Sequence, residues 1–168
     1  MRFVLTDRIS ELDPGKRVVA HKALSLAEEY LSDHFPAFPV LPGVLMLEAM
    51  VQASAWVARV ALEFRPSLIV LKEARNVTYK SFVAPGQILT ISSICKELQP
   101  EQSVFQAAGE VDGRPMVKGQ LVLRHLSLSD SDPRMSDIDG KLRARQRELL
   151  GLIWKSSAAD ASQEARQL

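Results

Sequence analysis

The sequence predicts an α+β domain: an antiparallel sheet wrapped around one long buried helix, followed by an extra C-terminal tail and helix. Three observations lead there. Residues 44–64 are apolar on nearly all sides, the pattern of a helix surrounded by protein. Residues 68–126 read as strands separated by turn signals. Helices and strands do not alternate along the chain, which removes the βαβ repeats of a parallel sheet.

Each element follows in order. Residues 2–12 suggest a short element ending at the turn Asp13-Pro14-Gly15-Lys16, and residues 17–26 form a weakly alternating strand. Pro36, Pro39 and Pro42 make residues 28–43 a stiff, extended loop that ends at Pro42-Gly43. The helix then runs from Val44 to Phe64, where Pro66 stops it. The candidate strands are 68–71, 74–80, 88–98, 103–111 and 115–126. Pro85-Gly86 separates the second from the third. Asp112-Gly113 is a strong two-residue hairpin turn, because both residues tolerate φ > 0. Beyond it, Val117, Leu121 and Leu123 alternate with Lys118, Gln120 and Arg124, as one buried face requires.

Residues 1–126 are thus expected to form one domain that folds alone. Residues 127–140 read as an acidic linker, with Asp130, Asp132, Asp137 and Asp139 against Arg134. Residues 141–155 read as an amphipathic basic helix with Leu142, Leu149 and Ile153 near one face and Trp154 beside them. The polar, small residues 156–168 are expected to be disordered.

Composition excludes several classes. At 168 residues, 46% hydrophobic and 24% charged, the chain is an ordinary globular domain plus a tail rather than a disordered one. A net charge of +1 gives no general attraction to nucleic acid or to an anionic membrane. The lone Cys95 rules out an intrachain disulfide framework and is expected in the core. The N-terminus is charged too early for a signal peptide, and Glu48, Arg59 and Glu63 interrupt the apolar stretch too often for a membrane span. A cytoplasmic location is expected. His21 and His125 sit in strand patterns, and no spacing reads as a metal site or a phosphate-binding loop.

The chemistry concentrates between residues 33 and 52. His34 lies on the proline-stiffened loop. Pro42-Gly43 opens the helix, so its first N–H groups are free at the positive end of the helix dipole. Glu48 lies five residues into an apolar helix, roughly 7–8 Å along its axis. Gln52 follows one turn later on the same side. Histidine is the natural base near neutral pH. Free N–H groups can hold a developing oxyanion. A carboxyl group in apolar surroundings keeps its proton and can act as an acid. These parts suffice to remove a proton beside a carbonyl and expel a β-leaving group. Residue types alone leave a plainer reading open, in which His34 is an ordinary loop residue and Glu48 pairs with an arginine or marks a dimer seam.

His34-Phe35-Pro36, Pro39-Val40-Leu41-Pro42-Gly43-Val44-Leu45 and Leu47-Glu48-Ala49-Met50-Val51-Gln52 closely resemble the motif of the 3-hydroxyacyl-acyl carrier protein dehydratases. The likeness is to the FabZ type more than to the FabA type, whose acidic residue is usually Asp. Phe3 to Arg8, Val83 to Leu89 and Val111-Asp112-Gly113 match further stretches, so the resemblance spans about residues 3 to 124. The chain differs from the family at Asp33, Ala37 and Gln87, none of them a catalytic position.

The resemblance implies the hotdog fold and a homodimer or a trimer of dimers. It implies that His34 is the base and Glu48 the acid, drawn from opposite subunits. Gly43 lends its N–H to the thioester oxygen, Phe35 and Val44 line the tunnel mouth, and Gln52 joins the substrate-binding residues. The implied substrate is a (3R)-3-hydroxyacyl group on the 4′-phosphopantetheine arm of acyl carrier protein. No cofactor or metal is required. The competing expectations are a hotdog thioesterase with a carboxylate-activated water, and a non-catalytic acyl-binding or assembly protein. The basic helix 141–155 would either dock an acidic carrier protein or pack by its apolar face. Packing is the stronger expectation, because fifteen residues rarely stay helical unsupported in water.

Overall fold

The structure, a computed structural model, describes residues 4–33 and 37–155. Strands β1 (Arg8–Asp13) and β2 (Arg17–Ala23) are followed by a single helical turn, α1 (Tyr30–Asp33). The long helix α2 (Gly43–Ala61) comes next. Then come β3 (Leu68–Tyr79), β4 (Ile88–Leu98), β5 (Gln102–Val111) and β6 (Arg114–Leu126). Two 3-10 turns lead into α3 (Ser136–Ile153). The six strands form one antiparallel sheet in the order β1-β2-β4-β5-β6-β3. β3 therefore lies at the outer edge, although it precedes β4 in the chain.

The core lies between α2 and the concave face of the sheet. β5 and β6 send Phe105, Ala107, Leu121 and Leu123 toward the helix, and β4 sends Leu89 and Ile91. Ala49, Ala53, Ala55 and Ala58 let α2 approach closely, and all are buried. Ser54 bonds Ser93 Oγ at 2.7 Å, which satisfies two buried hydroxyls between α2 and β4. By length and composition α2 could cross a membrane, but here it is the core helix of a wrapped sheet. The Asp112-Gly113 turn has positive φ at both residues, 49° and 74°, as the hairpin requires.

The structure departs from the expected elements in four places. The loop 28–43 is not extended throughout, because residues 30–33 close the turn α1. The strands expected at 68–71 and 74–80 are one strand, β3, whose register shifts between Leu71 and Glu73 and between Arg75 and Thr78. Those irregularities break the two-residue period and make one strand read as two. α2 ends at Ala61, before Pro66, because Glu63 and Phe64 turn left-handed at φ 56° and 60°. Finally, α3 begins at Ser136, so residues 136–140 of the expected linker are its first turns. The expected disordered stretch 156–168 lies outside the described residues.

The last two departures share a cause. Arg147 donates to Glu63 O at 3.2 Å and stacks its guanidinium 4.8 Å from the Phe64 ring. Arg143 donates to Arg65 O at 2.9 Å, and Gln146 Nε2 donates to Ser67 O at 3.1 Å. α3 thus satisfies the carbonyls that the left-handed turn leaves open. Asp139 anchors its start. That carboxylate is fully buried and accepts from Ser129 N at 2.9 Å, Leu128 N at 3.0 Å and Ser67 Oγ. Ser129, then Ser67, hold its carboxyl well below the usual carboxylate range.

A depressed native pKa contributes stability that is present above the unfolded value and lost as pH falls through the native one. The ordinary aspartate value is 3.8, so α3 should stay docked at about pH 4 and loosen only in stronger acid. Thermal unfolding from about pH 5 to pH 2 tests this. Asp139→Asn should be less stable at pH 5, and the gap to the wild type should close as acid is added. A gap that does not change with pH would show that the carboxylate is not the anchor.

Candidate active site

The start of α2 leaves its first backbone N–H groups open. Pro42 O accepts from Leu45 N at 2.9 Å and Met46 N at 3.1 Å. The N–H groups of Gly43 and Val44 therefore have no acceptor among the described residues. A Cβ on Gly43 would lie 3.2 Å from the Tyr79 ring, so glycine lets the end of β3 pack against the helix start. Nothing in the sequence spacing revealed Tyr79. Around this point Val44 is 69% exposed, and Phe38 meets Phe82 edge to face at 5.9 Å, both well exposed. Leu41 N donates to Val83 O at 2.9 Å and ties the two flanking loops together. Gln87 accepts from Ala84 N at 2.7 Å and closes the Pro85-Gly86 turn with its side chain.

Glu48 and Gln52 are half-buried on one side of α2. The backbone N–H of Leu5 donates to Gln52 Oε1 at 2.9 Å. That bond fixes the amide, because an N–H can only donate. The amide nitrogen of Gln52 must then face Glu48, and it donates to Glu48 Oε1 at 3.0 Å. One oxygen of the carboxyl group is held, and the other has no partner among the described residues.

Both side chains open into a cavity of about 250 Å3 that runs along α2 toward its C-terminal end. Val51, Ala55, Trp56 and Ile69 line it from the core, and Gln146, Leu149 and Ile153 of α3 cover it. The sequence showed the apolar stripe of α3 but not that it forms one wall of the half-open cavity at Glu48. A larger hollow of about 790 Å3 lies between β1 and the end of α3 and includes neither Glu48 nor Gln52.

His34 and Phe35 lie outside the described residues. The chain leading to them is firmly held. The buried Lys22 ammonium lies 2.6 Å from Glu28 and 3.3 Å from Asp7, and Asp7 also accepts from Ala23 N at 2.8 Å. Leu31 is buried in the core.

The other histidines are occupied. His125 Nδ1 donates to Pro100 O at 3.0 Å, so Nε2 accepts from Ser103 Oγ at 2.8 Å. Burial lowers its pKa and keeps the ring neutral. His21 bonds Ser10 and Thr90, and burial followed by Arg8 lowers its pKa. Cys95 is half-buried against the core, and burial pushes its thiol up, away from nucleophile chemistry. Among the described residues no group of His, Cys, Asp or Glu is placed to hold a metal ion.

A family model described as FabA-like domain matches residues 1–124. The 3-hydroxyacyl-acyl-carrier-protein dehydratase FabZ of Ruminiclostridium cellulolyticum is 33% identical over 119 residues, covering 71% of this chain and 84% of that protein. The FabZ of Aromatoleum aromaticum is 32% identical over 130 residues, covering 76% and 90%. Among solved structures, the dehydratase heterocomplex ApeI:P from Xenorhabdus doucetiae aligns with a TM-score of 0.63 at 20% identity, covering 79% of this chain and 90% of that one. A hypothetical thioesterase protein with coenzyme A from Streptococcus pneumoniae aligns with a TM-score of 0.53 at 15% identity, covering 71% and 88%. At such identities the last two establish the shared hotdog fold alone. α3 lies beyond the matched residues.

Proposed function

The chain belongs to the FabA-like family, and from that premise we propose that it is a hydro-lyase of fatty acid or related lipid biosynthesis. It converts (3R)-3-hydroxyacyl-acyl carrier protein to trans-2-enoyl-acyl carrier protein and water. The observation that carries this reading is Glu48: a carboxyl group oriented by Gln52, facing a cavity of mixed apolar and polar lining along the helix whose first N–H groups have no acceptor among the described residues.

His34 removes the proton from C2 of the substrate. The electron pair moves toward the thioester, whose oxygen gathers charge and is held by the Gly43 N–H. Glu48 gives its proton to the 3-hydroxyl group, the C3–O bond breaks, and water leaves as the C2=C3 bond forms. Val44 and Phe35 line the entrance for the phosphopantetheine arm, and exposed apolar residues at the helix start suit that task. Gln52 positions Glu48.

His34 and Glu48 come from opposite subunits of a homodimer, which stands alone or forms a trimer of dimers. The outer edge of β3 supports this, since it has no strand partner among the described residues and exposes Val70 and Leu71. Carrier-protein docking finds little support in α3, where Arg143 and Arg147 are spent on backbone carbonyls. The enzyme works in the cytoplasm.

Product analysis on one 3-hydroxyacyl carrier-protein substrate tests the reading. An enoyl thioester is expected. Free acid would make the protein a thioesterase, and unchanged substrate would leave an acyl-binding protein. A second test concerns Gln52. Gln52→Leu strands the Leu5 N–H and frees Glu48, so it should cost about 1–2 kcal/mol of stability. It should also lower kcat on the order of 10–10²-fold through misplacement of the acid. Unfolding and steady-state kinetics measure both. An unchanged kcat would remove Gln52 from the site.

A further inference from the structure

The cavity beyond Glu48 is not a plain hydrocarbon slot. Arg59 lies three turns along α2 from Glu48, on the same face, roughly 16 Å along the axis. It lines the same cavity. Its Nε donates to Gln146 Oε1 at 2.9 Å, and its guanidinium sits 5.2 Å from the centre of the Trp56 ring. These contacts occupy one N–H and one face, leaving the two terminal amino groups without an acceptor among the described residues. No ion pair among the described residues includes Arg59. Burial lowers its pKa to about 10, opposed by the charge of Glu48, so it remains a cation at neutral pH.

A second polar group lines the same cavity. Thr6 is 2% exposed, and its hydroxyl has no hydrogen-bond partner among the described residues. Buried hydroxyls are normally paired. A chamber built only for an alkyl chain needs neither an unpaired cation nor an orphan hydroxyl, since both raise the cost of emptying it of water.

We propose that this cavity selects 3-hydroxyacyl groups that carry a carboxylate at the far end of the chain, bound by the guanidinium of Arg59, with the Thr6 hydroxyl beside it. This rests on the dehydratase reading and narrows its substrate class. Trp56 and Gln146 hold the guanidinium in place. Val51, Ala55 and Leu149 cover the methylene segment between the reacting carbons and the distal anion.

The test compares two carrier-protein substrates of equal chain length, one ending in a methyl group and one in a carboxylate, by the rate of enoyl formation. The wild-type protein should favour the carboxylate substrate in kcat/KM by about tenfold or more. Arg59→Met should reverse the ratio, and Thr6→Val should shift it the same way by less. The wild-type comparison stands even where a variant fails to fold. Equal rates, or preference for the methyl substrate, overturn this inference and leave the dehydratase reading intact. An Arg59→Met protein that loses both substrates equally also overturns it, because Arg59 then serves only to join α2 to α3. Turnover of neither substrate overturns the dehydratase reading itself.

Discussion

Glu48→Gln and His34→Ala each lower the dehydration rate on the order of 10²–10⁴-fold and leave the assembly intact. Glutamine fills the volume of Glu48 and keeps an acceptor for the Gln52 amide, but it has no proton to give. The loss therefore reports the chemistry rather than the packing. Alanine at His34 removes the proposed base. A stronger test follows from the shared site. When the two variants are mixed, unfolded together and refolded, half of the dimers are mixed. Each mixed dimer holds one site with both lesions and one with neither. The mixture should regain roughly a quarter of the wild-type rate if His34 and Glu48 come from opposite subunits of a two-fold dimer. No recovery would place both residues in one subunit. Full activity in either single variant would sink its assignment.

Ending the chain at Leu126 lowers stability on the order of 3–5 kcal/mol. The acidic stretch 127–140 suggested a detachable tail, and the packing of α3 argues otherwise. Ile153 joins the core cluster at 8% exposure, and Leu149, Leu150 and Trp154 pack against it. Truncation exposes that surface, together with Phe64 and Ile69. It strips the donors from the carbonyls of Glu63, Arg65 and Ser67, where two left-handed residues already strain the backbone. It also unroofs the cavity at Glu48. Urea unfolding of the two chains measures the difference. Equal stability would show that α3 is merely appended. For the same reason, changing Arg143, Arg145 and Arg147 to Glu together should destabilise the protein and slow every substrate alike, carrier-bound or small. A defect confined to carrier-protein substrates would instead make α3 the docking face.

Several features were legible in the residues because they depend on near neighbours. The apolar run of α2 encodes its burial, and Pro42-Gly43 encodes first N–H groups that have no acceptor among the described residues. Asp112-Gly113 encodes a hairpin with two positive φ angles. Glu48 and Gln52 share a helix face because they stand four residues apart. Other features needed the fold. Leu5 and Gln52 are 47 residues apart, and Arg59 and Gln146 are 87 apart. No local period records those meetings. They arise when the first strands close over α2 and α3 folds back across its end. Asp139 looked like one more charge in an acidic linker, yet it is buried because its carboxylate meets two backbone N–H groups and a serine at one point in space. Local sequence thus determined which groups the site contains. Long-range packing decided which way Glu48 points and what lines the chamber it faces, because hydrogen bonding and burial depend on distance in space rather than along the chain.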